Sequence, residues 1–319
     1  MRYLLKKIMT LSVTLFLVSV AAFIAFQIIP GDVVGSILGT EATPEREEEL
    51  RHELMLDRPP VERYFHWLFN VVKGNLGVSY RYSKNMNEMM PVKELIGDKL
   101  PVTLSLAALS ILFIIAVSIP LGVLWARSKS RALDAALSVL TQVSMAIPAF
   151  FIGILMTYLF GIALKLFSPG AYVSYHKDFK GFITYLIFPA ISIAIPKIGM
   201  TARFLRNSML TEIKSDYVRT AYSKGCSERR VMYGHVLKNA LMPVITFLGM
   251  IIAEIVAGSI VIEQVFSLPG IGRLLISSIS TRDFPVVEIL ILYITFVVIF
   301  VYFTVDILYR VIDPRISGK

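Results

Sequence analysis

Six long apolar runs decide what this chain can fold into. They cover residues 8–29, 103–125, 135–155 (or 135–164 if the run is extended), 182–200, 240–262 and 286–308. Each run has about 20 residues, and a helix of that length crosses the roughly 30 Å of hydrocarbon in a bilayer. The pattern therefore predicts an all-α integral membrane protein with six transmembrane helices.

The composition agrees with a surface that faces lipid. Hydrophobic residues make up 55% of the 319 residues, charged residues make up 17%, and the mean hydropathy is +0.68. Soluble proteins carry about 25% charged residues. The net charge of +9 is divided among short segments between the apolar runs, so it forms no continuous basic face for nucleic acid. We expect the lipid bilayer, and no nucleic acid, as a partner.

The chain shows no sign of its own catalytic chemistry. Cys226 is the only cysteine, and the four histidines lack the spacing of metal ligands. The zinc-protease motif H-E-x-x-H, the hydrolase motif G-x-S-x-G and the nucleotide-binding motif G-x-x-x-x-G-K-[ST] do not occur. We expect no catalytic residues, no metal and no cofactor in this chain.

The basic residues predict an orientation. Three precede the first run, three lie at 127–131 and eight lie at 203–238, whereas residues 31–101 hold twelve acidic and nine basic residues. Cytoplasmic segments of membrane proteins are enriched in Lys and Arg, so both termini are predicted to be cytoplasmic and 31–101 external. The first run exceeds the roughly 7–15 apolar residues of a signal-peptide core, and we expect it to be retained.

The external segment is predicted to contain two short helices. Thr43-Pro44-Glu45 is typical of a helix start, and the charged stretch continues to Leu56. Residues 61–72 place Tyr64, Trp67 and Leu68 on one helical face. About 70 residues with so few apolar side chains make a marginal core, so a small cap is expected here and a separate enzyme domain is not.

The basic connection 203–239 has the pattern of two amphipathic helices. Tyr217, Val218, Ala221 and Tyr222 share one face, and Val231, Met232, Val236 and Leu237 share another. Gly225 separates the two helices, and Ser227 can cap the second. Such a pair could dock as a rigid knob into a groove of a soluble partner, or it could lie on the membrane surface.

The amino-acid sequence of this connection favours docking to a soluble partner. The segments DYVRTAYSKG (216–225) and HVLKNALMP (235–243) closely resemble the coupling loop of ABC-importer permeases of the oligopeptide/dipeptide/nickel family. Further fragments resemble that family in the same order: PGD (30–32), LDRP (56–59), GNLGVS (74–79), LPVTL (100–104), IPAF (147–150), RFLRNSML (203–210), EQVFSLPGIGR (263–273), RDFP (282–285), DILY (306–309) and DPR (313–315). Cys226, where an apolar residue is usual, and Asn75, where Asp is commoner, are two departures.

The resemblance implies a type I importer fold and a set of partners. They are a second, similar permease subunit, two cytoplasmic ABC ATPases that hold ATP and Mg²⁺, and an extracytoplasmic solute-binding protein, in a bacterial or archaeal cell membrane. The residues that would couple to the ATPase are Asp216, Tyr217, Val218, Arg219, Thr220, Ala221, Lys224, Gly225, His235, Asn239 and Pro243. In the ATPase cleft that the resemblance implies, Gly225 would be needed for close backbone approach or for a positive φ, and a side chain there would be expected to clash.

Four residues are candidates for the translocation path: Glu254, Pro148, Glu263 and Phe266. Glu254 lies midway along the fifth run, where an ionisable residue is costly; it either lines the path or hydrogen-bonds to a neighbouring helix. Pro148 and Pro196 are expected to kink or break their helices. The turn 266–273 guards the external entrance, touches a solute-binding protein or is a plain tight turn.

Two other acidic residues in the apolar runs are not expected to contact the solute. Asp306 is expected to pair with Arg310 one helical turn later, and Glu288 is expected to be solvated near an interface.

The predicted organisation is a tail and first helix at 1–30, an external segment at 31–101, a five-helix core at 102–310 and a tail at 311–319. The predicted function is a non-catalytic permease subunit of an ATP-driven importer for peptides or a related small solute. An ion-coupled secondary transporter is the alternative, although the halves of the chain lack the internal repeat that such folds often show. A membrane scaffold is a further alternative, but it would not need a coupling loop.

Overall fold

The computed structural model describes residues 2–28, 34–35, 43–53, 55–83 and 89–312, and these are almost entirely helical. The α-helices are α1 Arg2–Ile28, α2 Pro44–Glu53, α3 Pro60–Val72, α4 Val92–Arg127, α5 Arg131–Ala146, α6 Ala149–Met156, α7 Phe179–Ile213, α8 Asp216–Ser223, α9 Glu228–Val231, α10 Leu237–Val265, α11 Ile271–Ser280 and α12 Phe284–Ile312. Thr157–Ala163 and Met232–Val236 are π-helical. The fragments 30–32 and 313–315 lie outside the described residues, as do the side chains of Asp306 and Arg310.

Five of the described helices are long and apolar enough to cross a membrane. They are Lys7–Ala25, Val92–Arg127, Phe179–Ile213, Glu228–Val256 and Phe284–Val305. A sixth span results if Arg131–Ala146 and Ala149–Ala163, which are bent by 92° relative to each other, count as one. The prediction of a polytopic all-helical protein is confirmed, and the third predicted span is the bent pair.

The bend in the third span has a local cause. Ile147 is extended, with φ −87° and ψ 123°, as expected for a residue that precedes proline. Pro148 then caps α6 without continuing α5. The predicted break therefore occurs at Pro148, whereas α7 continues through Pro196 and also through Pro189.

The chain forms two compact units. The first comprises Met1–Val102 and Pro269–Val297, and the second comprises Thr103–Leu268 and Val298–Lys319. In the second, α7 packs against α5, α6 and α10. Gly249 of α10 lies so close to Val305 of α12 that a Cβ there would overlap the valine side chain. A small residue at this point lets the two helices approach closely.

In the first unit, the predicted external helices form and are followed by a short strand pair. Val78–Ser79 and Met90–Pro91 are antiparallel, a pairing that the sequence does not predict. The Ser79 hydroxyl donates a hydrogen bond to the Asp283 carboxylate. Burial raises the pKa of Asp283, while the hydrogen bonds from Ser79 and from the backbone lower it.

One expectation in the first unit is wrong. Glu288, expected to be solvated, is buried on α12. Its side chain lies in the packed part of α12, where the neighbouring Val287 and Leu290 are fully buried.

Candidate functional site

Two short helices follow α7 and form the candidate coupling loop. α8 begins after Ser215 and ends at Ser223, and Gly225 then has a φ of +78°. The Gly225 N–H donates to the Tyr222 carbonyl at 2.9 Å, and the Cys226 N–H donates to the Ala221 carbonyl at 3.1 Å. This is the Schellman arrangement, in which a left-handed residue, usually glycine, ends a helix. The predicted separation of the two helices at Gly225 is confirmed.

The buried sides of these helices pack into one apolar cluster with three long helices. We call it the anchor cluster; its members are Val123, Ala126, Leu205, Met209, Val218, Ala221, Val231, Met232, Val236, Ala240 and Val244. Cys226 packs against its edge, so an apolar side chain suits this position. The cluster makes the loop a rigid continuation of α4, α7 and α10, because every element contributes buried side chains to it.

The second predicted helix is not separate from the fifth span. α9 passes directly into the π-helical turn Met232–Val236 and then into α10. The apolar face predicted for this stretch is confirmed, since Val231, Met232 and Val236 are buried. Ser227 stands at the start of α9, but its side chain makes no capping hydrogen bond.

The outer side of the loop is polar and exposed. We call this set the coupling face: Asp216, Arg219, Thr220, Tyr222, Ser223, Lys224, Gly225, Tyr233, Gly234 and His235. Tyr222 was predicted on the apolar side, but it is 46% exposed. Val218 and Ala221 form the buried side of α8, and Tyr222, which directly follows Ala221, lies beyond the edge of that side and points outward.

The predicted coupling residues divide between surface and interior. Six of them lie on the coupling face: Asp216, Arg219, Thr220, Lys224, Gly225 and His235. Val218 and Ala221 belong to the anchor cluster, so they hold α8 in place and face away from solvent. Tyr217, Asn239 and Pro243 are half-buried.

Tyr217 connects α8 to the end of α7. Its hydroxyl donates a hydrogen bond to Glu212 Oε2 at 2.6 Å. Burial raises the pKa of Tyr217, and the neighbouring Glu212 carboxylate raises it further. The phenol therefore stays protonated and acts as a hydrogen-bond donor that fixes the loop.

A polar network that sequence reasoning missed supports the same region. Asp134 Oδ1 accepts hydrogen bonds from Trp125 Nε1 at 2.7 Å and from Arg206 Nη2 at 2.6 Å. The Arg206 guanidinium also lies 4.8 Å from the centroid of the Trp125 ring. Asp134 and Arg206 are 72 positions apart, so no local spacing reveals the contact.

The described residues leave open space around Gly225. A Cβ added at Gly225 would meet no atom within 4 Å. The positive φ still favours glycine, but the surrounding space is open. The positive φ is one of the two reasons expected for glycine here, and the close approach to an ATPase stays a prediction.

Glu254 pairs with a lysine that the sequence analysis did not single out. Lys197 Nζ on α7 forms an ion pair with Glu254 on α10. The Glu254 side chain is 52% exposed and the Lys197 side chain is 24% exposed. The interhelical contact expected for Glu254 therefore exists, and its carboxylate is at the same time open on one side.

The other three path candidates differ in exposure. Pro148 is exposed at the bend between α5 and α6. Glu263 is fully buried and accepts a hydrogen bond from Thr103 Oγ1 at 2.7 Å. The Phe266 side chain is also buried. In this conformation Glu263 and Phe266 contribute to packing and do not face an open path.

The described residues contain no group of three or more His, Cys, Asp or Glu side chains that could hold a metal ion. The site therefore has two features: a rigid polar face on a loop, which could bind a partner, and an ion pair between two long helices.

Two family models match the chain. Residues 1–107 match the amino-terminal part of the binding-protein-dependent transport system membrane component, and residues 118–318 match the binding-protein-dependent transport system inner membrane component. The chain belongs to this family. As a binding-protein-dependent transport permease, it is the membrane subunit of an ABC importer and a multi-pass inner membrane protein.

Relatives of this permease align over nearly its whole length. A Brucella abortus protein provisionally named as a peptide transport system permease is 38% identical over 98% of each chain. The oligopeptide transport system permease protein AppB of Bacillus subtilis is 32% identical over 99% of each chain. The dipeptide transport system permease protein DppB of Lactococcus lactis is also 32% identical, over 99% of each chain.

The fold of the permease is also found in a solved structure. The crystal structure of an amino acid ABC transporter with histidines matches with a TM-score of 0.53 and 17% sequence identity. The match covers 70% of this chain and 94% of that one. It supports the fold of the permease and carries no information about its solute.

Proposed function

We propose that this permease imports peptides and receives the energy of ATP hydrolysis through its coupling face. Three relatives that align over nearly the full length are named for peptide, oligopeptide or dipeptide transport, which supports peptides as the solute class. The nucleotide-binding motif G-x-x-x-x-G-K-[ST] does not occur in the sequence. ATP and Mg²⁺ are therefore assigned to separate ATPase subunits.

The single observation that carries this proposal is the anchor cluster beneath the coupling face. An exposed polar helix that only rested on lipid would need an apolar outer side. α8 instead turns its apolar side inward, against α4, α7 and α10, and presents Asp216, Arg219 and Thr220 outward. A rigid polar knob is suited to a groove on a soluble protein.

The complete importer is proposed to contain two different permease subunits, two ATPases and an external solute-binding protein. The positive-inside bias supports cytoplasmic termini and a cytoplasmic coupling loop, with residues 31–101 external. In this arrangement the coupling face meets the ATPase, and the external segment is on the side of the binding protein. Glu254, with an open carboxylate, is the proposed contact for a peptide amino group.

The proposal predicts that Gly225→Asp separates membrane insertion from coupling. The left-handed backbone tolerates Asp at modest cost, and the chain itself leaves open space. A carboxylate forced into an occupied groove would lose hydration without a partner. We expect normal membrane levels, at least about tenfold less ATPase co-purifying with the tagged permease, and peptide uptake at background.

Gly74→Asp is the matched control. Gly74 has a φ of +85°, open space around its Cβ position and the same pair of backbone hydrogen bonds at the end of α3. It lies in the segment proposed to be external, so Gly74→Asp should retain ATPase binding and uptake. Equal loss in both variants would attribute the effect to backbone strain, and normal co-purification and uptake with Gly225→Asp would refute docking at this face.

The alternative function, an ion-coupled secondary transporter, receives no support from the family models or from the relatives. The two mechanisms differ in what drives uptake: the importer requires ATP, whereas an ion-coupled carrier responds to an ion gradient. Peptide uptake by a reconstituted complex, with and without ATP, distinguishes them directly.

A further inference from the structure

Helix α3 carries an apolar surface that is exposed among the described residues. Val61, Phe65, Phe69 and Val72 are 67%, 58%, 58% and 78% exposed. Their spacing of four, four and three residues places them on one side of the helix. We call this surface the α3 stripe. Two phenylalanines and two valines in a row at the surface require an apolar environment.

The adjacent side of α3 is fixed to the first span. The Tyr64 hydroxyl and the Ser19 hydroxyl form a buried hydrogen bond of 2.7 Å. The Tyr64 ring lies 5.4 Å from the Phe23 ring, and the Trp67 ring lies 6.5 Å from it. These contacts determine how far along α1 the helix α3 lies.

That position is near the carboxyl end of the apolar run of α1. The run extends to Ile29, so Phe23 lies about 9 Å before its end at 1.5 Å per residue, which is within the roughly 5–10 Å to which interfacial helices bury their apolar side. Trp67 is level with Phe23, and the long side chain of Tyr64 reaches inward to Ser19. α3 therefore lies where hydrocarbon meets the headgroup region, and tryptophan and tyrosine are enriched at that depth.

The third side of α3 is polar. Glu62 forms an ion pair with Arg58 at 2.7 Å, and His66 and Asn70 are hydrogen-bonded to each other at 3.3 Å. Lys73 Nζ lies 4.0 Å from the centroid of the Phe69 ring at the end of the helix. A lysine at the end of such a helix can extend its ammonium group to lipid headgroups.

We propose that α3 is an interfacial helix whose stripe inserts into the lipid at the edge of one leaflet. Lipid is the occupant because exposed apolar side chains of α1, such as Leu17 and Ile24, continue the apolar surface in the same unit. A soluble binding protein would approach from the aqueous side, where Glu62, His66 and Asn70 lie. The inserted helix would hold the segment that follows α1 against the membrane.

Cysteine scanning tests this placement. Cys226→Ser removes the only cysteine of the chain, and single cysteines at Phe65 or Phe69 are compared with cysteines at His66 or Asn70. Each full-length variant is spin-labelled and reconstituted into phosphatidylcholine–phosphatidylglycerol vesicles. Collision rates with oxygen, which concentrates in lipid, and with a water-soluble nickel chelate are then measured.

We expect neighbouring positions to show opposite preferences for the two collision reagents. Labels at 65 and 69 should collide several-fold more with oxygen than with the chelate, and labels at 66 and 70 should show the opposite. Equal chelate access at all four positions would overturn the proposal, because the stripe would then face water. Low access to both reagents at 65 and 69 would also overturn it, because another protein surface would cover the stripe. Neither outcome bears on ATPase coupling, which Gly225→Asp tests separately.

Discussion

At the scale of single residues, the Lys197–Glu254 pair is the most informative contact in the second unit. Opposite charges inside a membrane protein lower each other's cost, and such residues commonly mark a path or a relay. Lys197 satisfies one side of the Glu254 carboxylate, while half of that side chain stays open. A peptide amino group could therefore bind without first breaking the pair.

Neutral substitutions separate packing from solute binding. Glu254→Gln leaves Lys197 without its counter-ion, so reduced uptake alone would not identify a solute contact. The double variant Lys197→Gln/Glu254→Gln removes both charges and keeps both side chains similar in size. If Glu254 contacts the solute, the double variant should assemble normally and show a KM for peptide uptake raised about tenfold. Unchanged kinetics with every peptide would remove Glu254 from the path.

At the scale of elements, much of the architecture follows from periodicity. Apolar length predicts the spans, and the 3.6-residue period predicts α3 and the buried side of 231–237 because one face of each is packed. The break at Pro148 is predictable from the residue type. In the candidate site, the turn at Gly225 and the buried positions Val218 and Ala221 were predicted correctly.

What could not be predicted depends on contacts distant in sequence. The strand pair at 78–79 and 90–91 is too short for a periodic signal. Asp134 meets Trp125 and Arg206 only after three helices have packed. The exposure of Tyr222 could not be deduced either, since tyrosine is compatible with either side of an amphipathic helix. Helix packing decides each of these features.

The anchor cluster allows us to predict what happens when the packing of α9 is weakened. Val231→Ala removes two methyl groups at a fully buried position and should destabilise the loop by about 1–3 kcal/mol. We expect a lower melting temperature of the purified protein and weaker stimulation of the ATPases by solute. Val139→Ala is the control, because Val139 is exposed on α5 and its truncation should change neither quantity. A full ATPase response with Val231→Ala would show that the loop does not need this packing.

At the scale of the whole molecule, the distribution of charge predicts the orientation in the membrane. The coupling loop is basic and the segment 31–101 is acidic overall, so the two are expected on opposite sides. The relatives and the family models establish a membrane permease, and the orientation remains a prediction from charge.

Labelling from one side tests this orientation. In the Cys226→Ser background, Lys224→Cys on the coupling face and Glu62→Cys on α3 are both exposed positions. A membrane-impermeant maleimide added to intact cells, after removal of any outer barrier, should modify position 62 and leave 224 unmodified until the membrane is opened. The reverse pattern would place the coupling face outside the cell and invalidate the proposed ATPase contact.

The uninterrupted passage from α9 through the π-helical turn into α10 has a mechanical consequence. The candidate span Glu228–Val256 contains 29 residues, or about 43 Å at 1.5 Å per residue. A loop at residues 232–236 would absorb motion at one end, but a helical connection, even one that contains a π-helical turn and Pro243, transfers motion along the span. A tilt of about 10° imposed near Glu228 would displace the far end by about 7 Å, so small closures of a nucleotide-driven motor could be amplified directly at the depth where Glu254 lies.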